Sequence, residues 1–222
     1  MSNSSLICYT KISPNSSNPR NKKITKITIH HMAGNLTIEK CGDEFASPTR
    51  QGSSNYGIGT DGRIGMYVEE KNRAWTSSNA SNDNMAVTIE VANDVYGGNW
   101  HVSDTALEKC IELCVDICKR YNFKLVYDGT PNGSLTRHNM FMATTCPGEY
   151  LQSKFEYIAE EVNKRLEEKP EPKPEPSEDI KVGDYVVPLT LVKPNQRGNY
   201  ADLFAVIACN SMSLSYMVRR ID

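Results

Sequence analysis

Two soft donors stand close together in the stretch SLTRHNMFMATTCPGEYL: the imidazole of His138 and the thiol of Cys146. A neutral imidazole and a thiolate are the ligands zinc prefers, so the pair points to a shared zinc ion. A third ligand can be sought in ITIHHMAG, where His30 and His31 close a strand and therefore point to opposite faces. Ile27, Ile29 and His31 share the apolar face. Thr28 and His30 share the polar one, on which a cleft would open, and this makes His30 the better ligand. Two histidines and one cysteine leave a tetrahedral zinc with its fourth position for water, the arrangement catalysis needs. Hydrolysis of an amide also needs a group to take the water's proton and pass it to the leaving nitrogen. Glu90, inside the apolar run AVTIEVAN, is the candidate, because a carboxylate there is costly unless it has work or a partner. Considered alone, Glu90 also reads as an outward-facing residue of a half-exposed strand. His101, after Gly97-Gly98-Asn99-Trp100, has no partner pattern and reads as surface or local packing.

These residues need a scaffold, and strand and helix signals alternate around them. KITKITIHH alternates isoleucine with polar residues and reads as a strand. SSNYGIGTDGRIGMYVEE reads as two strands turning at Asp61-Gly62. MAVTIEVAN is a β-branched run, and KLVY a further strand-like segment before His138. A helix starts near Ser103, with Ser103, Asp104 or Thr105 as cap and Glu108 placed for a capping box. In it Cys110, Cys114 and Cys118 join Leu107, Ile111, Val115 and Tyr121 in one apolar stripe, so these cysteines read as small core hydrophobes. Leu151, Phe155, Ile158, Ala159, Val162 and Leu166 mark a closing helix. The expected fold is α/β: a mixed central β-sheet flanked by helices, with the zinc site in a surface cleft.

LEEKPEPKPEPSED cannot bury a core and reads as an extended spacer. It divides the chain into a catalytic domain at 1–167, a Pro/Glu/Lys linker at 168–178 and a small β-rich module at 179–222. With 222 residues, 39% hydrophobic and 23% charged, the chain has the composition of a globular protein. A formal net charge of −2 gives no reason to expect a nucleic-acid partner. The cluster Pro19, Arg20, Asn21, Lys22, Lys23 reads as a solvated approach to the first long strand. The opening residues lack the apolar run of a signal peptide, and no stretch is long enough to span a bilayer, so no membrane partner is expected. Seven cysteines without paired spacing suit a reducing compartment.

Taken in order, ITIHHMAG, SSNYGIGTDGRIG, VTIEVAN and TRHNMFMATTCPG resemble the zinc-dependent N-acetylmuramoyl-L-alanine amidases, a family shared by phage amidases, bacterial autolysins and peptidoglycan recognition proteins. The likeness runs from Leu6 to Leu166. It implies hydrolysis of the amide between the lactyl group of N-acetylmuramic acid and L-alanine in peptidoglycan, with Zn2+ held by His30, His138 and Cys146. Glu90 matches the acidic residue that serves one branch as general base. Another branch uses a tyrosine at the place held here by Ser54. Thr144 fills a position two residues before the last ligand, where its hydroxyl could help hold the carbonyl oxygen. Trp75, in NRAWTSSNASNDN, lies where such enzymes carry a substrate-groove loop, and its face suits a sugar ring, a core role being equally open. Tyr56, the strand's own aromatic, is a second candidate for substrate contact, with packing as its other role. The spacer and β-rich tail resemble the wall-binding end of a phage or prophage endolysin against a Gram-positive host, made in the host cytoplasm and acting on the wall after release. Two other functions stay open: a recognition module of the same family that binds muropeptide without cutting, which the three filled ligand positions argue against, and a zinc peptidase cutting within the stem peptide, which the motifs alone do not exclude.

Overall fold

The computed structural model describes residues 3–168. The linker from residue 169 and the 179–222 module read from the sequence lie outside the described residues. In chain order the elements are β1 (Tyr9–Thr10), β2 (Ser16–Ser17), β3 (Lys26–His31), α1 (Ile38–Ala46), β4 (Tyr56–Ile58), β5 (Ile64–Met66), β6 (Arg73–Ala74), α2 (Ala80–Met85), β7 (Ala86–Val91), α3 (Asp104–Tyr121), β8 (Leu135–Arg137) and α4 (Glu149–Glu167). Six strands form one sheet in the order β1-β5-β4-β7-β3-β8, mixed because only β4 and β5 run antiparallel to each other. β2 and β6 form a separate antiparallel pair.

Side-chain alternation separates the two faces of the sheet. Ile27 and Ile29 of β3, Val87, Ile89 and Val91 of β7 and Tyr56 and Ile58 of β4 point into one large core with the apolar stripes of α3 and α4. Cys110, Cys114 and Cys118 lie buried in that core as free thiols. Ser103 caps α3 by accepting from the Ala106 amide, and Asn122 ends the helix in the left-handed region. The opposite face carries a smaller cluster of Cys41, Phe45 and Tyr67, supplied largely by α1.

Three expectations change. KLVY is not a strand: Leu125 is buried, but its backbone is met by the Asn163 side chain of α4, and the Val126 amide by the Ser134 hydroxyl. The strand beside β3 is instead Leu135–Arg137. Within the basic cluster, Arg20 is buried, its guanidinium donating to the carbonyls of Glu70, Asn72, Asp83, Asn84 and Ala86, while its neighbours are exposed. It ties the segment before β6 to α2 and to the start of β7. Tyr56 is wholly buried in the α3/α4 core, its hydroxyl donating to Glu70 at 2.6 Å, so it cannot touch a substrate. No helix among the described residues is long and apolar enough to cross a membrane.

Candidate active site

On the face opposite the large core, β3 and β7 run parallel in a register that sets His30 directly beside Glu90. The next partner across, on β4, is Gly57; a Cβ there would lie 2.6 Å from the Tyr67 hydroxyl, so glycine lets that ring cover the sheet beside Glu90. His138 comes from the turn after β8, and Cys146 from the loop leading into α4. That loop is held by Gly148, whose φ of 84° and close approach to Trp100 exclude a side chain.

The donor atoms of His30, His138 and Cys146 all lie within 4.8 Å of one another. His30 Nδ1 is 3.6 Å from Cys146 Sγ and 4.0 Å from Glu90 Oε1, and the two imidazole centroids are 4.6 Å apart. A tetrahedral zinc with bonds near 2.0–2.3 Å separates its ligands by about 3.3–3.8 Å, so the cluster needs only a small contraction. A ring nitrogen supplies a second indication. Nε2 of His138 is buried without a hydrogen-bond partner, as is Oε2 of Glu90. Buried polar atoms left in this way are costly unless something else satisfies them. An N2S donor set suits a soft or borderline divalent metal.

Electrostatics agree with that use. Burial holds the His30 imidazole well below its ordinary range, with His138 and His31 adding repulsion, and burial also lowers His138. Both are therefore neutral and able to donate a lone pair near neutral pH. Burial pushes the Cys146 thiol up, with Glu90 adding to the effect, so a cation is needed to draw off its proton. Burial raises the Glu90 carboxyl to about 8, against a smaller opposing pull from Arg50.

The cluster lies in a cleft of about 320 Å³ that Trp75, Thr144 and Arg50 also line. The Thr144 hydroxyl accepts from the Cys146 amide at 3.2 Å, which leaves its own hydrogen free to donate into the cleft. Trp75 is half-buried, with its indole N–H on the Ser17 hydroxyl at 2.9 Å. Ser54 is buried and donates to the carbonyls of Tyr56 and Thr88, a framework role. His31 packs edge-on to Trp100, and His101 pairs with Asp94 at 2.8 Å. The structure thus brings together His30, His138, Cys146, Glu90, Thr144 and Trp75 and leaves Tyr56 outside. Sequence reasoning missed Asp83, whose buried carboxylate accepts from the Thr76 and Ser77 amides and the Ser77 hydroxyl, fixing the loop after Trp75. Its signal was an Asp in the Asn/Ser-rich run SSNASNDN, a composition that favours side-chain-to-backbone bonds.

Two imidazoles and a thiol converging beside a buried carboxylate, at the end of parallel strands in an open cleft, are the groups that a metal-dependent hydrolase would need. Comparison with known proteins narrows the class. The profile of the N-acetylmuramoyl-L-alanine amidases matches residues 20–149, which spans every residue of the cluster, and the chain belongs to that family. It hydrolyses the amide that joins N-acetylmuramic acid to L-alanine in peptidoglycan. A search of curated proteins returns no match. Among solved structures, PlyL superposes with a TM-score of 0.57 at 14% identity, covering 69% of this chain and 95% of that one. A mutant endolysin from Bacillus subtilis gives 0.55 at 17% identity, covering 69% and 97%. The N-acetylmuramoyl-L-alanine amidase LysC from Clostridium intestinale gives 0.51 at 22% identity, covering 71% and 95%. At these identities the likeness is one of fold.

Proposed function

We propose that the metal is zinc, that His30, His138 and Cys146 hold it, and that Glu90 is the proton carrier of the amidase reaction. The observation that carries this reading is the convergence of three soft donors on the carboxylate that β-sheet register sets beside His30. When bound, zinc supplies Lewis acidity both to the attacking water and to the scissile carbonyl. Glu90 accepts the water's proton as the oxygen attacks the lactyl carbonyl, then returns it to the alanine nitrogen as the C–N bond breaks. A carboxyl that burial has moved toward neutrality suits both steps. The Thr144 hydroxyl donates to the developing oxyanion. Trp75 offers a ring face on the cleft wall to the sugar.

The chain acts as an endolysin on Gram-positive walls. Supporting this are the fold shared with the Bacillus subtilis endolysin and a Pro/Glu/Lys spacer leading to the 179–222 segment, which serves as a wall-binding module. Tethering a catalytic domain to such a module raises its effective concentration at an insoluble polymer. Mass spectrometry of digested walls tests the reaction. Intact stem peptides beginning at L-alanine, released together with peptide-free glycan, are expected; fragments cut within the peptide would identify a peptidase instead.

A further inference from the structure

One charged side chain in the cleft has no part in the proton transfers. Arg50 ends the 3-10 turn Pro48–Arg50, and Gln51 after it takes a φ of 55°. Among the described residues that line the cleft, Arg50 is the one lysine or arginine. Every other described arginine is committed. Arg20 is bonded to backbone carbonyls, Arg63 to Glu39 and Asp61, Arg73 to Ser17, Arg120 to Glu70 and Asp116, Arg137 to Tyr127, and Arg165 to Glu108. Arg50 is exposed and makes no such bond, not even to Glu44, which lines the same cleft.

An uncommitted guanidinium on the wall of an active-site cleft suits a carboxylate that the substrate brings, which it can grip with two parallel hydrogen bonds. The glycan side of the scissile bond offers none, because its lactyl carboxyl is consumed in the amide. The peptide side does. The acidic residue that follows L-alanine in the stem carries a free α-carboxylate in some walls and a carboxamide in others. That group lies two residues, or about 7 Å, from the scissile carbonyl.

We propose that Arg50 is a specificity-determining residue that binds the α-carboxylate of the second stem-peptide residue, so that the enzyme favours walls in which this group is a free acid. The inference rests on the amidase reaction and on the peptide leaving along the Arg50 wall. The test uses the full-length zinc-loaded protein and two soluble substrates, N-acetylmuramoyl-L-alanyl-γ-D-glutamyl-L-lysine amide and its counterpart with D-isoglutamine, which differ only at that group. Wild type should show kcat/KM about tenfold or more higher on the acid, chiefly through KM, since a charge-assisted pair is lost with the amide. R50Q should cut the rate on the acid substrate about tenfold more than the rate on the amide and so abolish the preference, while R50K keeps part of it. Zinc content and unfolding midpoint should match wild type, because Arg50 is exposed. Equal rates of wild type on the two substrates would overturn the proposal. So would an equal fall of both rates in R50Q, which would make Arg50 only a tuner of Glu90. Cleavage of neither substrate by wild type would overturn the amidase reaction itself, and the specificity with it.

Discussion

Glu90 should make the metal-free protein less stable as well as make the enzyme work. Its carboxyl moves from 4.5 to about 8 on folding, because burial disfavours the charged form. A carboxyl whose pKa is raised in the folded state lends its full stability below the unfolded value, and that stability is lost as pH rises toward the folded one. Between the two values the loss runs at close to 1.36 kcal/mol for each step of one in pH, so the contribution should fall by about 2 kcal/mol from pH 6 to pH 8. Glu90→Gln keeps the shape and removes the titration. Urea unfolding of metal-free wild type and variant at pH 6, 7 and 8 isolates the effect, since every other titrating group is common to both proteins. The variant's advantage should grow across the series by about 2 kcal/mol. An advantage that stays constant, or shrinks with rising pH, would refute the argument that burial governs this carboxyl.

Arg20→Met should lower unfolding stability by about 3 kcal/mol or more, because it strands five carbonyls that the guanidinium satisfies; a loss below about 1 kcal/mol in urea unfolding would contradict this. His30→Ala should lose zinc by elemental analysis and lose activity, while His31→Ala, edge-on to Trp100 outside the cluster, keeps its metal; the reverse pattern would overturn the ligand assignment. Zinc uptake at pH 7 should release a proton from the raised Cys146 thiol and most of one from Glu90, but none from the lowered histidines. Calorimetry in buffers of different ionisation enthalpy should therefore count about one proton fewer for Glu90→Gln than for wild type, and equal counts would contradict it.

Strand alternation was the most legible part of the sequence. The period of two in KITIHH assigned Ile27 and Ile29 to the core and His30 to the opposite face, and the structure keeps both. The four-residue spacing of Cys110, Cys114 and Cys118 likewise marked a buried stripe. The same parity, applied to Tyr-Gly-Ile, would have excluded Tyr56 from the cleft, since Gly57 is the residue opposite Glu90. Helix α1 went unread. Ile38, Cys41 and Phe45 have helical spacing behind a Thr37 cap, but Gly42 and the short polar run weaken the pattern. With α1 went the turn that carries Arg50. Arg20 was illegible for a different reason: its partners lie fifty or more residues along the chain, so nothing local separates a buried guanidinium from a solvated one. KLVY failed similarly, because the backbone of Leu125 is satisfied by the Asn163 side chain of α4 rather than by a sheet ladder.

The central claim joins a metal held by His30, His138 and Cys146 to proton transfer through Glu90, and one comparison tests both halves. Turnover of purified Gram-positive walls should be measured for wild type and Glu90→Gln, with the zinc content of each preparation determined alongside. The account predicts equal zinc in the two proteins and a loss of turnover of about a hundredfold or more in the variant. A zinc-loaded variant that lyses walls at close to the wild-type rate would contradict it.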